Sequence, residues 1–130
     1  IEKVYNLKGA KGAISIAYAP EEKLLFVVSQ STDNLQILDA TDGKLKADVK
    51  VGAGPLAVVW EPVRKLAYVA NRGSDSVAVV DVNGNLVANL PGGSYANHVF
   101  TDGKGTVWSV NKARGLNDPQ GDHISRYAAK

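Results

Sequence analysis

The sequence predicts an all-β chain of repeated four-stranded antiparallel units, and three observations carry that reading. First, the chain repeats itself at the shift that sets Gly12 on Gly54: Pro20 then falls on Pro62, Lys23 on Lys65, Leu24 on Leu66, Val27 on Val69, Asp33 on Asp75 and Asp39 on Asp81. Second, aromatic positions match as a class, Tyr18 with Trp60 and Phe26 with Tyr68, and a weaker third copy sets Phe100 under Trp60, Trp108 under Tyr68 and Asn111 under Asn71. Third, the apolar runs are short, rich in β-branched residues, and broken every few residues by Gly or Pro, which disfavours helix. A period of roughly 40 residues with strand-length apolar runs is the signature of a β-propeller, one four-stranded blade per repeat.

The second copy, residues 54–90, shows the elements most clearly. Leu56 to Trp60 is a strand entered from Gly52-Ala53-Gly54-Pro55, and Glu61 to Lys65 is a polar hairpin turn. Leu66 to Asn71 is the next strand, Arg72 to Asp75 a loop, and Val77 to Val80 a third strand closed by Asp81. Asn83-Gly84 reads as a type I′ hairpin turn into a fourth strand ending at Leu90. The first copy, residues 12–51, repeats this with Asp42-Gly43 at the turn. The strands are almost continuously apolar, as expected when both sheet faces are covered. Residues 95–127 read as a third blade lacking its outer strand, and residues 1–7 as the outer strand of a neighbouring blade. That order predicts that Ile1–Leu7 docks on Ile124–Tyr127 and that the chain needs further blades, from a partner chain or a longer polypeptide. The opening Ile, rather than Met, points the same way. Three units lie below the four or so blades that close a ring. Bare apolar faces are expected at Ile14 to Tyr18, Leu35 to Leu38 and Val107 to Val110, which would mark interfaces.

Composition excludes some classes. The chain has 130 residues, is 45% hydrophobic and 22% charged, and carries a net charge of +2. No apolar run approaches the roughly 18 residues of a spanning helix, so no membrane insertion is expected. The absence of Cys removes disulfide and thiolate chemistry and suits an exported protein.

The Leu66-Ala67-Tyr68-Val69-Ala70-Asn71-Arg72 strand, with Gly52 to Pro62 before it and Val77 to Asp81 after it, resembles the YVTN-repeat family of β-propellers. The name-giving run reads Tyr68-Val69-Ala70-Asn71 here, Phe26-Val27-Val28-Ser29 in the first copy and Trp108-Ser109-Val110-Asn111 in the third. The stretched last loop and Asp122-His123-Ile124-Ser125-Arg126 make it similar to the C-terminal blades of periplasmic YncE-like propellers. The resemblance implies a seven-bladed ring when complete, of which this chain supplies about three blades, and a periplasmic or otherwise exported location. It brings no catalytic motif.

Chemistry-bearing candidates are few. Gly52 to Ala57 fits G-x-G-x-x-A, but a strand follows rather than the helix a dinucleotide site needs. His98 and His123 are the only histidines, neither at metal-ligand spacing, so no metal is expected; His98 reads as a ligand contact, a base or a satisfied polar residue. Asp39 and Asp81 read as turn caps. Asn117 to Asp122 lacks the spacing and terminal Glu of a calcium loop. No cofactor is expected.

Function is expected on the loop-rich edge, because variable loops on a rigid scaffold are where binding residues gather. That edge collects Lys8 to Lys11, Gln30 to Asn34, Arg72 to Asp75, Gly92 to Asn97 and Lys112 to Asp122. Its candidate ligand-binding residues are Lys11, Arg72, Tyr95, Asn97, His98, Lys112 and Arg114. The leading expectation is a non-catalytic scaffold that engages a protein or an extended polymer there. Two alternatives are single-stranded DNA binding on a basic rim, and an enzyme-like propeller holding a small anionic metabolite in the central channel through Arg72 and His98.

Overall fold

Every strand expected from residue 12 onward forms. In the computed structural model, which describes residues 1–128, three antiparallel sheets follow one another along the chain. The first holds β1 (Ala13–Ala19), β2 (Leu24–Ser29), β3 (Asn34–Asp39) and β4 (Leu45–Lys50) in sequential order. The second holds β5 (Pro55–Glu61), β6 (Leu66–Asn71), β7 (Ser76–Asp81) and β8 (Leu86–Pro91). The third holds β9 (Ala96–Thr101), β10 (Val107–Asn111) and β11 (Ile124–Tyr127), and has no fourth strand among the described residues. The one helical element described is a 3-10 turn at Arg72–Ser74. Among the described residues no helix is long and apolar enough to cross a membrane.

The sheets stack face to face in a blade-like arrangement, and the stacking explains the apolar runs. Phe26, Val28, Leu35 and Ile37 of the first sheet meet Val58, Trp60, Val69 and Val80 of the second. Phe26 lies stacked on Trp60, ring centroids 5.1 Å apart and planes 20° from parallel. The other face of the second sheet sets Tyr68, Ala70, Val77 and Val79 against Ala96, Val99 and Val107 of the third. The middle sheet is therefore covered on both faces and its strands carry almost no polar alternation. Each fully buried Val, Ile or Phe contributes about 1.5–3 kcal/mol against the cost of ordering the chain.

Several elements take a form the sequence does not predict. The Asp42-Gly43 and Asn83-Gly84 turns are not type I′, which needs both central residues at positive φ. Only the glycines are left-handed, Gly43 at 73° and Gly84 at 84°. Gly84 N–H closes a turn on the Asp81 carbonyl at 3.2 Å, and the ladder slips between Val79 and Val80. This is the longer hairpin in which a left-handed glycine makes a bulge.

Phe100 does not take the place of Trp60. It is 63% exposed, whereas Trp60 is buried toward the preceding sheet. The β9–β10 hairpin pairs Thr101 with Val107, where β5–β6 pairs Trp60 with Ala67, so the turn closes one position sooner. That single position slips the register and turns Phe100 to the opposite face. Trp108 and Asn111 do keep the places of Tyr68 and Asn71.

Bare apolar faces occur at Ile14, Ile16 and Tyr18 at one end of the stack and at Phe100, Val110 and Ile124 at the other. Leu35 to Leu38 are buried instead. Leu35 and Ile37 face the second sheet, while Gln36 and Leu38 lie beneath the segment that leads into β1. Gln36 Nε2 donates to the Lys8 carbonyl at 2.6 Å, and Asn34 Nδ2 to that of Gly9 at 3.3 Å. Residues 1–7 form no strand and do not pair with β11. They lie along the first sheet, with Tyr5 against Gly43 and Leu7 beside Leu38 and Leu45.

Candidate functional site

The two edges of the stack differ in length of connection. Hairpins β1–β2, β3–β4, β5–β6 and β7–β8 turn back in a few residues on one edge, and the loops entering each sheet and joining its second and third strands gather on the other. On that loop edge one contact recurs three times. A left-handed residue just before each sheet's first strand (Gly12, Gly54 and Tyr95, φ 73°, 58° and 49°) offers its carbonyl to the loop after the second strand. The donors are Gln30 N at 2.8 Å, Arg72 N at 3.1 Å and Lys112 N at 3.2 Å. Gln30, Arg72 and Lys112 are thereby set at equivalent points of successive sheets.

A second repeated contact fastens each sheet to the next. Asp33 and Asp75, both left-handed at φ 54°, open the third strands. Asp33 Oδ1 accepts the Gly54 N–H at 2.8 Å and Asp75 Oδ1 the Tyr95 N–H at 2.9 Å. The sequence repeat sets Asp33 on Asp75, but recurrence alone does not say what they hold. Their separation equals that of Gly12 and Gly54, and this match is the sequence signal for a fastening. Asp122, also left-handed at φ 53°, is the third copy, and it accepts from Ala113 N at 3.1 Å inside its own loop.

Tyr95 is the exception in this pattern. Glycine holds its position in the other two copies, since a side chain in the left-handed region costs on the order of 1–2 kcal/mol. Its ring is flanked by two guanidiniums, Arg72 at 4.6 Å from the centroid and Arg114 at 4.8 Å. Arg114 also pairs with the outer oxygen of Asp75, whose inner oxygen holds the Tyr95 backbone. Asp118 shapes the loop that delivers Arg114, accepting from Arg114 N and Gln120 N at 2.9 Å each. Those backbone donors, Arg114 first, hold the Asp118 carboxyl below its ordinary range. Asn111 anchors the same loop, its amide donating to the Gln120 carbonyl and accepting His123 N at 3.2 Å.

Arg114 is thus committed to a carboxylate, whereas the exposed Arg72 makes no side-chain hydrogen bond or ion pair among the described residues. Beside Arg72 a shallow hollow of about 270 Å³ is lined by Gln30, Gly54, Arg72, Gly73 and Tyr95. Such a hollow, with one free guanidinium and peptide groups around it, can seat a carboxylate or phosphate group.

Of the expected site residues, Arg72, Tyr95 and Arg114 come together, and Lys112 joins them through its backbone. Asn97 lies two residues into β9, half-buried. Lys11 belongs to the first sheet's loop, its N–H on Thr32 Oγ1 at 3.1 Å. His98 is not part of the group. It lies on the bare face of the third sheet with Phe100, Trp108, Val110 and Ile124. Alternation along β9 decides this: Val99 points into the stack, so His98 and Phe100 point away. Among the described residues no group of three or more acidic or histidine side chains is placed to hold a metal ion.

No family model matches this chain, and no curated protein matches it. A solved structure of Kuenenia stuttgartiensis hydrazine synthase is similar to it, with a TM-score of 0.79 over 98% of this chain at 23% sequence identity. This chain spans 36% of that one, about a third of its length. At such identity the likeness concerns the all-β blade-like fold alone.

Proposed function

We propose that this chain is part of a β-propeller of the YVTN-repeat kind, seven-bladed when complete, acting as a non-catalytic scaffold in an exported compartment. On this reading the loop edge binds an acidic segment of a partner protein. The observation that supports it best is the cluster of Arg72, Tyr95 and Arg114. One guanidinium is free for a ligand, and the aromatic beside it is held in a backbone conformation that glycine would take more cheaply. Tyr95 is half-buried, and the strain it carries beside the exposed Arg72 supports a role for that pair in binding.

Nucleic-acid binding fits less well. Two guanidiniums already lie on the Tyr95 ring, which makes it a poor stacking platform, and Asp75 neutralises Arg114. A catalytic channel is disfavoured by the placement of His98 away from Arg72. The test is a fluorescence titration with a labelled glutamate-rich peptide and, in parallel, an oligothymidylate. The scaffold reading expects peptide binding that is lost in Arg72→Ala and kept in His98→Ala. Oligonucleotide binding with a steep salt dependence, and no peptide binding, would overturn it.

A further inference from the structure

We propose that the loop edge reads its acidic segment by the spacing of the charges: the segment lies extended across successive sheets, with one carboxylate between Gln30 and Arg72 and a second, three residues along, on Lys112. The proposal rests on the binding reading above and adds to it the geometry of the ligand. The recurring contact of the loop edge makes a row. The carbonyls of Gly12, Gly54 and Tyr95 hold the N–H groups of Gln30, Arg72 and Lys112 at 2.8, 3.1 and 3.2 Å. Because each sheet makes the same bond, the three residues leave the scaffold at matching points of consecutive sheets. The residues just before them, Ser29, Asn71 and Asn111, are buried, so the row rises from packed strand ends. All three members are exposed, and among the described residues none of their side chains makes a hydrogen bond or ion pair.

The carboxylates near the row are already answered. Asp33 and Asp75 each give an oxygen to a backbone N–H, of Gly54 at 2.8 Å and of Tyr95 at 2.9 Å. The other oxygen of Asp75 holds Arg114, and Asp122 accepts the Ala113 N–H at 3.1 Å. The row therefore faces solvent with two unpaired cations, Arg72 and Lys112, and the amide of Gln30. Between Gln30 and Arg72 is the hollow of about 270 Å³, lined also by Gly54, Gly73 and Tyr95. A carboxylate seated there accepts from the guanidinium fork and from Gln30 Nε2. The guanidinium already rests on the Tyr95 ring, 4.6 Å from its centroid, so little of its freedom is left to lose on binding.

The step from Arg72 to Lys112 sets the spacing. Sheets packed face to face lie about 10 Å apart, and the two backbones are one such step from each other. A segment in polyproline II geometry rises about 3.1 Å per residue and returns the same face every third residue, after about 9 Å. Two glutamates separated by two other residues then point to the same side, one at each cation. Adjacent glutamates do not, because the second is turned away and falls short of Lys112. The flexible four-carbon stem of Lys112 takes up the remaining difference.

The test is a set of fluorescence titrations of the whole chain with labelled peptides on a Pro-rich background, which favours the extended geometry. One peptide carries Glu-x-x-Glu, a second of the same composition carries the two glutamates side by side, and a third has one glutamate replaced by Gln. The proposal expects the spaced peptide to bind about fivefold more tightly than either of the others, the upper range for one further exposed ion pair. Lys112→Ala should erase that advantage and leave the single-glutamate peptide unchanged, whereas Arg72→Ala should weaken all three. Both side chains are exposed, so the strand circular-dichroism signal should stay the same in each variant. Equal affinity for the spaced and adjacent peptides, or an advantage that survives Lys112→Ala, would overturn the proposal and leave the binding reading standing. Failure of every peptide to bind would overturn that reading and this inference with it.

Discussion

Two arginine–tyrosine clusters sit at opposite edges of the same pair of sheets, and they have opposite fates. At the tight-turn edge, Arg64 lies 5.9 Å from the Tyr68 ring centroid and donates to the Tyr68 hydroxyl at 2.8 Å and the Gly105 carbonyl at 2.9 Å. Its partner Glu61 is fully buried and accepts Val63 N and Arg64 N at 2.8 Å each, with the Arg64 Nε 3.5 Å away. Every strong charge there is answered from within the molecule, and the cluster ties the second sheet to the third. At the loop edge, Tyr95 is held in a costly conformation between one committed arginine and one free one. The same residue types serve the fold where they are buried and paired, and stay available to a ligand where they are exposed and unanswered.

The difference can be broken most forcefully at Glu61. Glu61→Ala removes two turn hydrogen bonds and leaves Arg64 without its carboxylate, so unfolding should become easier by about 3 kcal/mol. Chemical denaturation measures this; a change below about 1 kcal/mol would mean that the tight edge is not held as described. Peptide binding by the folded variant should not change. Tyr68→Phe removes only the hydroxyl that Arg64 reaches and should cost about 1 kcal/mol. Burial also raises the Tyr68 hydroxyl pKa, so it stays protonated across the neutral range, and ultraviolet titration should show its ionisation above that of ordinary tyrosine.

Acid sharpens the comparison in another way. Asp39, Asp102 and Asp118 are each held below the ordinary 3.8, first of all by a backbone N–H, from Thr41, Lys104 and Arg114 respectively. A depressed folded-state pKa stabilises above the unfolded value and loses that contribution as pH falls through the folded one. The thermal midpoint should therefore be flat near neutrality and drop below about pH 4. Asp118→Asn should remove part of that drop and loosen the Arg114 loop, whereas Asp39→Asn should leave peptide binding unchanged.

How much of this was legible in the sequence follows from what repeats. Strands, turns and the three-sheet order recur at a fixed spacing, and spacing is visible in a string of letters. The turn-capping role of Asp39 and Asp81 was visible too, and Thr41 N on Asp39 Oδ1 at 2.7 Å and Asn83 N on Asp81 Oδ1 at 2.9 Å bear it out. Phe100 is misplaced because a hairpin that closes one position sooner reverses which face of β9 points outward, and apolar content does not register that slip; His98 is misplaced because it lies inside β9, on a sheet face, rather than in the loop before it. The convergence of Arg72, Tyr95 and Arg114 was legible as shared membership of one edge. That Arg114 is spent on Asp75 while Arg72 is free was not, because it depends on the path of the Lys112–Asp122 loop.

Tyr95→Gly gives the smallest expected change in stability and the most pointed one. The substitution restores the residue that the other two sheets carry at this position and releases the left-handed strain, a gain on the order of 1 kcal/mol. It also removes the ring from between Arg72 and Arg114, a loss of about 0.5–1 kcal/mol for each exposed cation–π contact. Added backbone freedom in the unfolded chain takes away about another 0.4–1 kcal/mol. The terms oppose one another, so the net shift should stay within about 1 kcal/mol. A loss well beyond that would show that Tyr95 holds the sheets together rather than waiting for a ligand. Peptide affinity should respond differently, falling about tenfold as Arg72 loses the surface that orients it. Arg72→Ala should produce a fall of similar size, and combining the two should add little, because both act through one guanidinium. Full additivity in that double-mutant cycle would separate the ring from the arginine and leave the tyrosine's strained position without a role in binding.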